Sequence, residues 1–296
     1  WDLKKFRMVS RKIGTEMKSV GEVMAIGRKF EEAIQKGLRM LQVGANGLVC
    51  NGNIDFGELD KALAEPTEER IFAVAEAIRR GYTTERIHEL TKIDRWFIEK
   101  IRNIVELENK LRNVGESVTG DLIKEAKKLG FSDRQISLCT GLSEEDVRNI
   151  RWKENIRPYL RQIDTLAGEF PAKTNYLYLT YNSIKDDVSH IAGNAVMVLG
   201  SGAYHIGSSV EFDWCCVSAV RTLKNLGYQT IMLNYNPETV STDYDESDYL
   251  IFDEISEESV AEVYNKLRPL GVILSFGGQV PNNIALKIYK LGLRVF

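Results

Sequence analysis

From about residue 57 to 165 the apolar positions recur at three- and four-residue spacing and strand-like alternation nearly vanishes, so this stretch is predicted to be helical. Thr67 is placed to cap a helix carrying Ile71, Val74, Ala75 and Ile78 on one face, with Gly81 to end it. Asp94 is placed to cap the next, whose buried stripe is predicted to be Phe97, Ile101, Ile104 and Val105. Upstream, Phe30, Ala33, Ile34, Leu38 and Leu41 form the apolar face of an amphipathic helix over 29–41, which Gly44-Ala45-Asn46-Gly47 ends before a loop to Asn53. After Pro171 the pattern changes. AVMVLGSG (195–202), YQTIMLN (228–234) and GVILSFGG (271–278) read as buried strands, with helices over 212–227 and near 257–267, and LRVF (293–296) reads as a fourth strand. Strands alternating with helices predict a parallel, doubly wound α/β sheet.

The helical stretch repeats itself. GYTTERIHELTKIDRWFIEKIR (81–102) aligns without gaps with GFSDRQISLCTGLSEEDVRNIR (130–151), with five identities in 22 positions. Thr83 and Ser132 open a short helix in each copy, and Asp94 or Ser143 opens the second, so the unit is a helical hairpin used twice. Such a hairpin resembles a helix-turn-helix, yet the second helix of the later copy begins with Ser143-Glu144-Glu145-Asp146, which would turn acids towards phosphates. Packing is the better reading, and no nucleic-acid partner is expected.

Composition narrows the class. At 296 residues, 44% hydrophobic and 27% charged, the chain is long enough for two or three domains and rich enough in apolar side chains to fold without help from disorder-prone segments. The net charge of -3 argues against a generic polyanion binder, although the charge runs from +5 over 1–43 to -3 over 44–170 and -5 over 171–296. Cys50, Cys139, Cys215 and Cys216 form no C-x-x-C pair, and a bridge between the adjacent two would be strained, which fits a reducing compartment. No apolar run approaches the roughly 20 residues that cross a bilayer, so no membrane partner is expected. The chain opens at Trp1 without a methionine and reads as an internal piece, with any targeting segment outside it.

Candidate chemistry concentrates after residue 195. GSGAYHIGSS (200–209) joins a strand to a helix, where free NH groups and the helix dipole favour an anion. Gly202 and Gly207 have phosphate-loop spacing but Ser208 stands where lysine belongs, and Gly200-x-Gly202 lacks the dinucleotide pattern, with Asn234 where an acid should end the second strand. A turn that lets strand and helix pack closely explains the glycines equally well. The loop 234–248 holds Glu238, Asp243, Asp245, Glu246 and Asp248 at a spacing that fits no EF-hand, and a solvated acidic loop is favoured over a metal site. Glu211 and Asp213 add two carboxylates at the turn. His88, His190 and His205 are scattered; His88 is expected to be exposed, and His205 lies within the turn.

MKSVGEVMAIGR (17–28), VLGSGAYHIGSSVEFDWCCV (198–217), IMLNYNPETVSTDYDESD (231–248) and GVILSFGGQVPNN (271–283), in this order, resemble the large synthetase component of carbamoyl-phosphate synthase. EFDWC and TNYLYLTYN (174–182) are similar to the eukaryotic versions. The resemblance implies three parts: residues 1–43 as the tail of a first ATP-grasp domain, 44–188 as a helical oligomerisation domain, and 189–296 as the α/β pre-ATP-grasp domain of a second half. It implies a ligase that makes carbamoyl phosphate from bicarbonate, ammonia or glutamine nitrogen and two ATP, in the pyrimidine, arginine or urea pathway. ATP and Mg²⁺ or Mn²⁺ would be held outside these residues, so the piece alone is expected to be inactive, with no catalytic residue and no metal of its own. It implies as partners the remaining ATP-grasp and allosteric domains, a glutamine amidotransferase domain or subunit, and further copies in a homo-oligomer, in the cytoplasm or the mitochondrial matrix. By motif, Glu22, Ser209, Glu211 and Glu238 fall where the family lines its carbamate passage, and Gly200, Gly202 and Gly207 form the glycine turn. Ser209 stands where bacterial relatives have glycine. Two other classes compete: a helical assembly module with a non-catalytic α/β partner, and a nicotinamide-binding oxidoreductase resting on the glycine turn alone.

Overall fold

A computed structural model describes the chain except for residues 2, 20, 53, 173 and 189–192, which include His190. The chain forms two compact units, one of residues 1–20 and 29–156, the other of residues 21–28 and 157–296. These limits differ from the expected ones: the first helix joins the helical unit, and residues 157–188, expected to be its end, join the sheet.

The helical unit contains α1 (Phe30–Met40), α2 (Leu59–Ala64), α3 (Arg70–Arg79), α4 (Thr84–Thr91), α5 (Arg95–Val114), α6 (Gly120–Lys128), α7 (Asp133–Thr140) and α8 (Glu144–Lys153). The repeat is visible atom by atom. Thr83 and Ser132 accept from the NH three residues on, Asp94 and Ser143 cap the second helices, and Lys92 and Gly141 end the first ones in the left-handed region. Thr91 and Thr140 each donate back to the carbonyl four residues earlier at 2.8 Å, above the fully buried Ile87 and Ile136. Arg102 donates to Thr84 Oγ1 at 3.0 Å, and its counterpart Arg151 donates to Asp133, the counterpart of Thr84, at 2.8 and 2.7 Å. The second copy has a buried ion pair where the first has a hydroxyl accepting from an arginine.

Several local expectations fail for tertiary reasons. α3 starts at Arg70 rather than at a Thr67 cap, and its flanking Glu69 makes no side-chain cap bond. Phe97 is 42% exposed, stacked edge-on with Phe30 and Trp96, while Ile98 takes the buried place. α1 buries its polar face as well: Gln35 donates to the Leu129 carbonyl at 3.1 Å and accepts from Gln135 at 2.8 Å, replacing the water it gives up. His88 is half-buried, its Nδ1 2.8 Å from the Ile93 carbonyl, and is not simply exposed.

The sheet unit contains β1 (Tyr159–Gln162), β2 (Tyr176–Thr180), β3 (Ala195–Leu199), α9 (Glu211–Asn225), β4 (Gln229–Asn234), β5 (Tyr249–Phe252), α10 (Glu257–Leu267), β6 (Val272–Ile273) and α11 (Gln279–Lys290). Its order is β1-β2-β5-β4-β3-β6, parallel except for β1 against β2. The doubly wound sheet is as expected, with an antiparallel edge and β5 in addition. GVILSFGG supplies only a two-residue strand before a 3-10 turn, Ser275–Gly277, and the 293–296 segment makes one parallel bridge, Val272 to Val295. β3 is buried at all five positions, the signature of a strand covered on both faces.

Candidate functional site

β3 ends at Leu199 beside the end of β4, and Asn234 ties the two strand ends together. Its Oδ1 accepts from Gly202 N–H at 3.0 Å and Tyr235 N–H at 2.9 Å, while its Nδ2 donates to Ser241 Oγ at 3.2 Å. The amide meets all three bonds without placing a charge at a position that is fully buried. The glycines answer to this closeness. A Cβ on Gly200 would lie 2.4 Å from Asn234 Cγ, and one on Gly202, at φ 72°, would lie 2.4 Å from the Tyr235 hydroxyl oxygen. Gly207, at φ 93°, has open space around it and is needed only for its backbone angle.

Between β3 and β6 the strand order reverses, the place where doubly wound sheets usually seat a ligand. Here the backbone of the 3-10 turn occupies it: a Cβ on Gly277 would sit 2.3 Å from the Gly200 carbonyl oxygen. With Ser208 in place of the phosphate-loop lysine, without the G-x-G-x-x-G spacing, and with the Gly277 backbone against Gly200, the turn matches neither an ATP phosphate loop nor a dinucleotide turn. The nicotinamide reading therefore loses its one support.

The four passage candidates belong to segments gathered at this end of the sheet unit. Residues 21–28 lie against β4, with Met24 N–H donating to the Tyr235 carbonyl at 2.8 Å, and this carries Glu22. Ser209 Oγ donates to the Glu211 carboxylate and accepts from Glu211 N–H at 3.4 Å, fixing Glu211 as the first residue of α9. Glu238 follows β4, its N–H held by Asn236 Oδ1 at 3.0 Å. Glu22, Glu211 and Glu238 are exposed and Ser209 is half-buried. Tyr204, in the glycine turn, links these segments electrostatically. Burial first, then the charges of Asp213 and Glu238, hold its phenol above the usual tyrosine value.

Sequence reasoning named Asp213 at this turn but missed Ser201 and Asn236 as buried polar groups beside it. Ser201 Oγ, Asp213 Oδ1 and Asn236 Nδ2 have no hydrogen-bond partner among the described residues, where buried polar atoms ordinarily have one. The Asn236 side chain is missed because asparagine after a strand reads as turn chemistry. In the acidic loop, Glu246 pairs with Arg221 at 2.9 Å and Asp248 accepts from Thr230 N–H at 2.8 Å. Asp243 is pushed above the usual carboxylate value by desolvation and by Asp245 and Glu246. Among the described residues, Cys50, Glu108 and Cys139 in the helical unit gather as metal-capable side chains, but Arg79 and Arg112 already engage Glu108 at 2.6 and 2.8 Å and would repel a cation.

The carbamoyl-phosphate synthetase large chain oligomerisation domain matches residues 22–155, and the carbamoyl phosphate synthase preATP-grasp domain matches residues 192–296. The whole chain is 52% identical to the carbamoyl phosphate synthase arginine-specific large chain of Eremothecium gossypii. The chain belongs to the carbamoyl-phosphate synthase large-chain family. It is also 49% identical over its full length to the human mitochondrial carbamoyl-phosphate synthase [ammonia] and 51% identical to the multifunctional protein pyr1-3 of Dictyostelium discoideum. The chain spans 27%, 20% and 13% of the lengths of these three relatives. The assembly-module and oxidoreductase alternatives find no support. Among the described residues no helix is long and apolar enough to cross a membrane.

Proposed function

We propose that this chain is the central part of a carbamoyl-phosphate synthase that makes carbamoyl phosphate from bicarbonate, ammonia or glutamine nitrogen and two ATP. In that enzyme it connects two ATP-grasp halves, takes part in self-assembly through its helical unit, and lines part of the passage that carries carbamate from one half to the other. ATP and its metal ions bind to the flanking ATP-grasp domains, and the partners are those domains, an allosteric domain and an amidotransferase. The relatives named for a mitochondrial location make the matrix as reasonable a compartment as the cytoplasm.

The observation that carries the passage assignment is the gathering of three sequence-distant segments at the ends of β3 and β4. Carboxylates repel carbamate but accept a hydrogen bond from neutral carbamic acid, and Glu211 is held for this by the Ser209 hydroxyl. Asn236 Nδ2 and Asp213 Oδ1 add a buried donor and a buried acceptor. Exposed here, the glutamates need the rest of the enzyme to exclude water, since carbamate decomposes in it.

The test is E211A in the complete enzyme. Bicarbonate-dependent ATP hydrolysis and ATP synthesis from carbamoyl phosphate should stay near wild type while the overall reaction falls at least tenfold, with thermal unfolding unchanged. An equal fall in the partial reactions would refute a transfer role.

A further inference from the structure

Cys50 and Cys139 are 89 residues apart in sequence, yet their sulfurs lie 3.0 Å apart, inside the contact distance of two unbonded sulfurs with nothing between them. Cys50 holds an unusual backbone, φ 64°, which a non-glycine residue adopts only when its surroundings hold it there. It sits in the loop after α1, and Cys139 sits near the end of α7. Cys50 is in the wall of a cleft of about 690 Å³ that Glu76, Arg79, Arg80, Glu108 and Arg112 also line. This cleft lies wholly within the helical unit and shares no residue with the sheet-end site.

We propose that Cys50 and Cys139 are a hydroperoxide-responsive dithiol that closes reversibly to a disulfide. The charges around it favour a thiolate on one member. Hydrogen bonding from Cys50 and the nearby Arg112 hold the Cys139 thiol below its ordinary value, while the same bond, burial and Glu108 push the Cys50 thiol up. Glu108, whose Oε1 is 3.7 Å from Cys50 Sγ, is itself neutralised by Arg79 and Arg112, so its charge only partly opposes the thiolate. Hydrogen peroxide is small enough to enter the cleft, whose wall Cys50 forms, with Cys139 Sγ 3.0 Å behind Cys50 Sγ. The thiolate sulfur attacks one peroxide oxygen, an S–O bond forms, the O–O bond breaks, and the departing hydroxide takes a proton to leave as water. The second sulfur then attacks the sulfenic sulfur, the S–S bond forms, and the lost hydroxide takes the second thiol proton. Two thiols and one hydrogen peroxide become one disulfide and two waters, and a thiol reductant reverses the change. The bridge would fasten the loop after α1 to the second copy of the repeat, closing a long loop of the unfolded chain.

The experiment treats the purified 296-residue chain with a small excess of hydrogen peroxide, blocks remaining thiols with an alkylating agent, and maps unreduced peptides by mass spectrometry. The expected result is one cross-linked peptide pair joining Cys50 to Cys139, two thiols lost of four, and full recovery with dithiothreitol. C50S should abolish the bridge and leave a dimedone-trappable sulfenic acid on Cys139. The bridged chain should unfold several degrees higher than the reduced one. The wild-type mapping stands whether or not C50S folds. Oxidation first at Cys215, or alkylation of Cys50 and Cys139 as fast as in the unfolded chain, would overturn the proposal. So would stoichiometric zinc uptake that protects both thiols, in favour of a metal site.

Discussion

Replacing Asp133 tests the repeat's most specific feature. Asp133 and Arg151 are both buried and joined by two hydrogen bonds of 2.8 and 2.7 Å, and Lys127, also buried, stands 3.2 Å from the same carboxylate. Arg151 further donates to the Ile156 carbonyl at 3.1 Å, where the helical unit ends. Removing one partner of a buried pair costs about 3–5 kcal/mol, because the remaining charge keeps its desolvation cost and loses its attraction. D133A takes the carboxylate from two buried cations at once and belongs at the top of that range. R151M leaves Asp133 beside Lys127 and should cost less, about 2–3 kcal/mol, mostly from the lost bonds to Asp133 and Ile156. At the equivalent place in the first copy, T84A removes a hydroxyl that accepts from Arg102 and donates to Glu99, and with no buried charge left unpaired it should cost about 2 kcal/mol. Urea unfolding followed by helical circular dichroism measures all three. If R151M proved more damaging than D133A, or D133A cost under about 1 kcal/mol, the account of Asp133 as shared counter-charge would be wrong.

Three further changes separate sterics from backbone angle and fix a pH window. G277A places a methyl against the Gly200 and Leu199 carbonyl oxygens at 2.3 and 2.6 Å, backbone atoms that cannot swing aside, and should cost about 2–4 kcal/mol in unfolding experiments. G207A meets open space and should cost only about 1–2 kcal/mol for its φ of 93°. Burial opposes the charge of Glu108, but hydrogen bonds from Arg79 and Arg112 outweigh it and leave its carboxyl below the usual range. Its contribution is therefore complete above the ordinary glutamate value and lost as pH falls through the lower folded value. E108Q should lower the melting temperature at pH 7 and flatten its decline below about pH 4.5.

Periodicity was enough for the helices and for the twice-used hairpin because capping residues and buried isoleucines act within one turn of chain. It failed where burial is decided by distant segments. α1 looks amphipathic, but Gly130 approaches so closely that a Cβ there would be 2.8 Å from Glu32 Cα, which puts a polar face inside. β1 is a four-residue edge strand and β2 a five-residue strand between it and β5, too short for pattern to place them, so their position in the sheet comes from pairing. At the candidate site, motif likeness pointed to Glu22, Ser209, Glu211 and Glu238, residues the structure gathers from separate segments at one end of the sheet unit. What the sequence did not show is the local bonding: Asn236 holds the Glu238 N–H, and Asn234 clamps the neighbouring Gly202 and Tyr235 N–H groups.

Asn234 shows why the glycine turn misled in one direction and informed in another. Read as a nucleotide motif, the turn fails for want of an acid at the end of β4. In the fold, the amide at that position accepts from two backbone NH groups and donates to Ser241 without burying a charge. That clamp brings the Tyr235 hydroxyl under Gly202 and aims the Tyr235 carbonyl at Met24 N–H. Met24 and Ile26 then pack on the core formed by Val198, Cys216, Val220, Met232, Leu250 and Phe252, although the chain on both sides of residues 21–28 belongs to the helical unit. Glu22 is therefore positioned by the core of the sheet rather than by the helix that follows it. Loosening those two apolar anchors would displace Glu22 while leaving Ser209 and Glu211 in place.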